Sequence, residues 1–170
     1  MRLPQLGDAM APQASAEIAS RADAPALSRL LSAAFEQPWD ERWVAEHLFD
    51  DESVVETHVV HRGDEIVATA SVRLLPGQFP GAGYVHFVAT APEARGGGLG
   101  VRMTSAVLHS FATMGLSQAV LETDDDRLSA ISLYLGLGFV PEYRDHQHLL
   151  RWSRVFRALR GRPSQREASR

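Results

Sequence analysis

Apolar positions recur at three and four residues in some stretches and alternate with polar ones in others, so the chain reads as interleaved helices and strands. In "AEIASRADAPALSRLLSAAF" a short strand precedes a helix: Leu27, Leu30, Leu31 and Phe35 share one face, Asp23 is placed to cap, and Pro25 suits the first turn. "WDERWVAEHLF" predicts a second helix, apolar at Trp39, Trp43, Val44 and Leu48. "VVETHVVH" and "EIVATASVRLL" are β-rich runs separated by "RGD", a hairpin signal. After the loop "PGQFPGAG", "YVHFVAT" predicts a strand. "LGVRMTSAVLHSFATM" predicts a helix with Leu99, Met103, Val107, Leu108 and Phe111 on one face and Gly115 as its stop. "SQAVLET" reads as a strand, and "SAISLYLGLG" as a helix ended by Gly136 and Gly138. "FVPEYRDHQHLLRW" reads as two short strands or one with a bend. The order βααβββαβαβ predicts an α/β (α+β) fold: a mixed central sheet of about six to seven strands, flanked by helices on both faces.

At 170 residues and 45% apolar content, one core is expected. Residues 1–14 lack any period and are expected to form a flexible N-terminal arm, residues 15–150 one domain, and residues 151–170 a basic C-terminal helix and disordered tail. In that helix Trp152, Val155, Phe156 and Leu159 share a face opposite the arginines. No apolar run approaches the length of a membrane span, and the opening residues lack the pattern of a secretory leader, so a cytoplasmic protein without a membrane partner is expected.

The charges are unevenly placed. All 17 basic residues are arginine, and seven of them fall in the last twenty positions beside one acid, Glu167. The first 150 residues hold ten arginines against twenty acids, leaving a body of about −10 and a tail of about +6. An acidic body disfavours nucleic acid and suits a cationic partner. The absence of cysteine removes disulfides, thiolate metal sites and a cysteine nucleophile from consideration.

Candidate chemistry centres on "ARGGGLGVRM" (94–103), between a strand ending at Thr90 and a helix. Backbone N–H groups and the helix dipole face an anion in that arrangement, and glycine permits close approach and positive φ. A nucleotide triphosphate loop requires a lysine that this chain lacks. A dinucleotide fingerprint requires glycine where Val101 or Met103 stands. Arg-x-x-Gly-x-Gly fits, as Arg95, Gly98 and Gly100.

That spacing resembles the pyrophosphate-binding loop of the GNAT superfamily of acyl-CoA-dependent N-acyltransferases, and the resemblance covers roughly residues 16–150 in the right element order. "YVHFVATAPEAR" and "AISLYLGLGF" (130–139) resemble further signatures, and "LETDDDRLSAISLYLGLGFVPEY" is similar to a subset of bacterial members of mostly unassigned substrate. The resemblance implies that the backbone of Val88, Ala89 and Thr90 pairs with the pantetheine amides of acetyl-CoA. It implies also that Arg95, Gly96, Gly97, Gly98, Leu99, Gly100 and Val101 hold the pyrophosphate, with Arg102 at the helix start. Gly96 and Gly97 match no required position and read as tolerated extras.

Tyr134 falls on the tyrosine that in many members protonates the departing thiolate, a task suited to a phenol of pKa about 10. A primary amine is only about 0.1% neutral at pH 7, so a proton acceptor helps deliver it. His86 is the candidate base, with Glu122, Asp124 or water as alternatives. Strand alternation puts Tyr84, His86 and Val88 on one face, as a working pair or a substrate wall. Arg127 stands where many members carry an asparagine that contacts the cofactor arm; the resemblance places it and Tyr134 among the cofactor-binding residues, its guanidinium within reach of a phosphate or of Asp124–Asp126. The alternating His146 and His148, with Asp145 next to them in sequence, lack a third ligand at metal-site spacing, and Asp124–Asp126 read as a solvated turn, so no metal is expected.

The expected activity is acetyl transfer from acetyl-CoA to a primary amine, on a small cationic molecule, by direct attack in a ternary complex; a homodimer is compatible with it. The alternatives are acetylation of a protein N-terminus or lysine with the basic tail docking the partner, and a non-catalytic acyl-CoA-binding regulatory module.

Overall fold

A computed structural model describes residues 1–7 and 16–161. Its elements are β1 (Arg2–Leu3), β2 (Glu17–Ile18), α1 (Ala24–Phe35), α2 (Glu41–Leu48), β3 (Val54–Arg62), β4 (Glu65–Leu74), β5 (Ala82–Thr90), α3 (Leu99–Thr113), β6 (Gln118–Val120), α4 (Leu128–Gly136) and α5 (His146–Arg160). The six strands form one mixed sheet in the order β1-β6-β5-β4-β3-β2. Pairing is antiparallel from β2 through β5 and parallel between β5 and β6. Two compact units result: Leu3–Leu121, and Met1–Arg2 with Glu122–Arg170.

In the first unit, local chemistry explains most boundaries. Gly63, at φ 62°, makes the two-residue turn between β3 and β4. Asp40 caps α2 by accepting from the Trp43 N–H at 2.7 Å. Asp23 stands at the N-cap of α1 as expected, but its carboxylate makes no cap bond to that helix; it accepts instead from the Ser20 N–H at 2.7 Å and closes a 3-10 turn before the helix. Gly115, at φ 77°, follows the end of α3. Helices lie on both faces. From α3, Phe111 meets the β5 backbone at Gly83 and Ser110 contacts His58 of β3, while α1, α2 and the segment between them cover the opposite face through Phe35, Trp43 and Trp39.

The departure from ideal pleating lies in β5. Thr69 pairs with Ala89 and Ser71 with His86, so Phe87 and Val88 together oppose Ala70. This is a β-bulge, and Phe87 takes φ 45° to make it. A left-handed backbone costs a bulky residue about 1–2 kcal/mol. Paired residues share a face, so Tyr84, His86 and Ala89 lie together, opposite Arg73, Ser71 and Thr69. Val88 therefore does not share the face of Tyr84 and His86: the extra residue breaks the alternation on which that expectation rested.

The second unit differs from the expected terminal strands. Residues 139–150 contribute only an antiparallel bridge between Val140 and Arg2, after which α5 begins at His146, five residues before the expected start. Asp145 caps it, accepting from the His148 N–H at 2.9 Å. His146 and His148 thus sit in the first turn of a helix. Of the expected N-terminal arm, Arg2–Leu3 form β1, whereas residues 8–15 and the expected disordered tail at 162–170 lie outside the described residues.

Candidate active site

Two features of the first unit create an accessible backbone next to a helix start. The parallel ladder ends at Tyr84 and Val120, whereas β5 runs on to Thr90. Among the described residues, no strand pairs with that far edge beyond Tyr84. A 3-10 turn at Pro92–Ala94 then leads into the glycine loop.

Gly96 and Gly98 adopt φ 82° and 75°, and Gly98 is the N-cap of α3. Gly97 needs no left-handed backbone. Gly96 is thus a conformational requirement rather than a tolerated extra, and Gly97 alone of the triplet fits that description. The first N–H engaged inside α3 is that of Arg102, on the Gly98 carbonyl at 3.1 Å. Those of Leu99, Gly100 and Val101 are helix-start donors without intrahelical acceptors. Among the described residues, nothing stands within 4 Å of where a Cβ would be at Gly96 or Gly98, which leaves room for close approach. Outward donors, positive φ and the positive end of a 15-residue helix fit a pyrophosphate held by Arg95–Val101.

His86 lies on the α1–α2 face, its ring 5.8 Å from Tyr84 and 3.9 Å from Phe87. Burial lowers its pKa to about 4, with Arg73 acting in the same direction and Asp51 opposing. His86 is therefore a neutral imidazole at pH 7, able to accept a hydrogen bond but weak as a base. Asp51 sits beside it, paired with Arg73 at 2.9 Å. Hydrogen bonds from the Ser53 hydroxyl (2.6 Å) and N–H (2.9 Å) hold the Asp51 carboxyl below its usual range. Around Phe87 stand Phe35, Trp39 and Trp43, and Trp43 continues the stack onto His47 at 4.0 Å.

Sequence reasoning missed both the bulge and this aromatic set; the aromatic density of "FEQPWDERW" was the available signal. It also missed a buried cluster on the other face. There Ser110 Oγ donates to Glu56 Oε2 at 2.7 Å and lies 3.1 Å from His58 Nε2, and burial depresses the His58 pKa.

In the second unit Tyr134 lies near the end of α4, 6% exposed, its ring edge-on to Phe139 at 5.8 Å. Burial raises its pKa to about 12, with Arg127 opposing, so the phenol keeps its proton throughout the neutral range. Arg127 is the N-cap of α4 and pairs with Asp124 at 3.2 Å. That pairing engages one of the alternative bases, and Asp125 is held by Arg151 through bonds of 2.9 and 3.0 Å. Glu122 lines a cleft of this unit with Glu142, Arg144 and Trp152.

A mixed sheet with a bulged strand leading into a glycine-lined helix start defines the acyl-CoA N-acyltransferase class of fold. Residues 24–139 match the model of the acetyltransferase (GNAT) family, and the chain belongs to that family. Mycothiol acetyltransferase of Nocardia farcinica is 30% identical over 153 residues, covering 84% of this chain and 50% of that protein. The chain spans half the length or less of this relative and of the mycothiol acetyltransferases from Amycolatopsis mediterranei and Pseudarthrobacter chlorophenolicus. A solved GNAT-family protein of Novosphingobium aromaticivorans superposes with a TM-score of 0.59 at 27% identity, over 81% of this chain and 54% of that one. The ribosomal-protein-S18-alanine N-acetyltransferase of Escherichia coli shares the fold at a TM-score of 0.65 and 20% identity, over 76% and 79%.

Proposed function

We propose that the protein transfers an acetyl group from acetyl-CoA to a primary amine, by direct attack of the amine nitrogen on the thioester carbon in a ternary complex. The observation that carries this is the continuity of the bulged, open-edged β5 with the glycine-lined start of α3. One presents peptide groups for the pantetheine amides at Val88, Ala89 and Thr90, and the other presents N–H donors for the pyrophosphate at Arg95–Val101. As the N–C bond forms, negative charge gathers on the thioester oxygen, and preorganised backbone donors near Val88 stabilise it. The C–S bond then breaks and the thiolate takes a proton from Tyr134. The proton on the attacking nitrogen leaves through neutral His86 or water. A histidine of pKa about 4 would favour passing that proton onward over storing it.

The acidic body supports a small cationic acceptor. The name of the relatives, mycothiol acetyltransferase, also supports a small molecule as the starting point for the search. Exposed Leu149 and Leu150 on α5, with the exposed Arg154, Arg157 and Arg160, support a second reading in which a protein is the acceptor. A thermal-shift titration with acetyl-CoA, followed by an amine panel scored for free CoA, tests the proposal. Stabilisation and amine-dependent CoA release are expected; absence of any shift would overturn it.

A further inference from the structure

Nothing in the local sequence "HFVAT" calls for a left-handed backbone at Phe87, which lacks the freedom of glycine and the short polar side chain of asparagine. Its cause lies in packing. The Phe87 ring meets Phe35 at 6.0 Å and 81°, Trp39 at 5.3 Å and 67°, and Trp43 at 5.6 Å and 72°, three edge-on contacts of the favoured kind. His86 and Phe87 are consecutive, yet their rings are 3.9 Å apart, which regular strand alternation would not allow. The clamp itself is anchored. The Trp39 carbonyl accepts from Ser28 Oγ at 2.7 Å and from Ser32 Oγ at 3.1 Å, and the Trp39 N–H lies 3.0 Å from Ser32 Oγ. Trp43 is fixed by the Asp40 cap.

We infer that Phe87 is a positioning residue: its ring, gripped by Phe35, Trp39 and Trp43, holds the bulge that sets the backbone of Val88–Thr90 for reaction. The inference rests on the acetyl-transfer proposal for its catalytic consequence, but the mechanical coupling stands on the geometry alone. The α1–α2 connection thereby acts on the thioester strand through an aromatic lever. Simple core packing explains the cluster less well, since all four rings are only half-buried while the fully buried core lies elsewhere.

The test compares Phe87→Ala, Phe87→Tyr and Trp39→Leu in the full chain, reading amide hydrogen exchange over residues 86–90 together with kcat and KM for acetyl-CoA. Phe87→Ala should change exchange at Val88–Thr90 and lower kcat about 100-fold, as a misplacement of about 1 Å does. KM for acetyl-CoA should rise less than kcat falls, because the pantetheine pairing at Val88–Thr90 is disturbed while the glycine loop is untouched. Phe87→Tyr should restore both readouts, and Trp39→Leu should shift exchange at Val88–Thr90 from a distance. Wild-type exchange in a folded Phe87→Ala protein would overturn the clamp, as would a Phe87→Tyr protein no better than Phe87→Ala. Should Phe87→Ala fail to fold, Trp39→Leu decides: unchanged exchange at 88–90 overturns the lever. If the wild type neither binds acetyl-CoA nor releases CoA, the activity proposal fails, and the exchange arm still judges the clamp.

Discussion

The ring of Phe111 occupies the space that a side chain on Gly83 would need: a Cβ there would lie 2.3 Å from its Cδ1 and Cε1. Phe111 is fully buried and cannot swing away, so the absence of a side chain at Gly83 is what lets α3 pack this closely on β5 there. Gly83→Ala should destabilise the fold by about 1–3 kcal/mol through overpacking. The double variant Gly83→Ala with Phe111→Leu should recover part of the loss in a denaturant series. Strict additivity of the two changes would argue against this contact.

The glycine loop separates by backbone angle. Gly96→Ala and Gly98→Ala force φ above 70° on a residue with a Cβ, at about 1–2 kcal/mol each, and should weaken acetyl-CoA binding in a titration. Gly97→Ala, where a Cβ would meet only the Ala94 carbonyl at an ordinary 3.5 Å, should bind as the wild type does.

His86 predicts a pH signature with a definite sign. Its folded pKa of about 4 lies below the ordinary 6.5, so between those values the unfolded chain binds more protons than the folded one. Its contribution to stability is complete above pH 6.5 and is lost as pH falls towards 4, and depressed His58 acts in the same sense. Melting temperature should decline across that window, less steeply in His86→Gln. An NMR titration should place the His86 midpoint near 4. If His86 relays the proton, His86→Ala should change the pH profile of kcat/KM; an unaltered profile would leave water as the acceptor.

Tyr134 remains protonated to about pH 12, so its acid form is constant over any working range. Tyr134→Phe should reduce kcat by about 10²-fold or more while acetyl-CoA affinity changes little. Unchanged turnover in steady-state kinetics would remove it from the mechanism.

Helix α5 is not a detachable tail, because Val155 is 4% exposed and Arg151 is bound to Asp125. Charge reversal tests its outer face better than truncation. With Arg154, Arg157 and Arg160 changed to Glu, small-amine turnover should persist. If a protein is the acceptor, its acetylation should fall and lose its salt dependence.

The chain's periodicity was enough to locate α1 to α4, the hairpin at Gly63 and the strand before the glycine loop, because each rests on contacts or turn residues close in sequence. The spacing of Arg95, Gly98 and Gly100 likewise carried the family, since a backbone cradle is specified by where a Cβ is absent. Local pattern did not carry the register of β5. Strict alternation put Val88 with His86, whereas three aromatic rings from α1, α2 and the segment between them stabilise an extra residue and reverse every side chain beyond it. The same limit hid the role of Gly96, whose positive φ depends on how the loop closes, and misread residues 146–150, which Asp145 caps into a helix. It also concealed the His86 environment, because a pKa near 4 comes from burial and from Arg73, thirteen positions away along the chain. Local preference therefore fixed the elements and the cradle, while long-range packing decided which face each reactive group occupies and in which protonation state it waits.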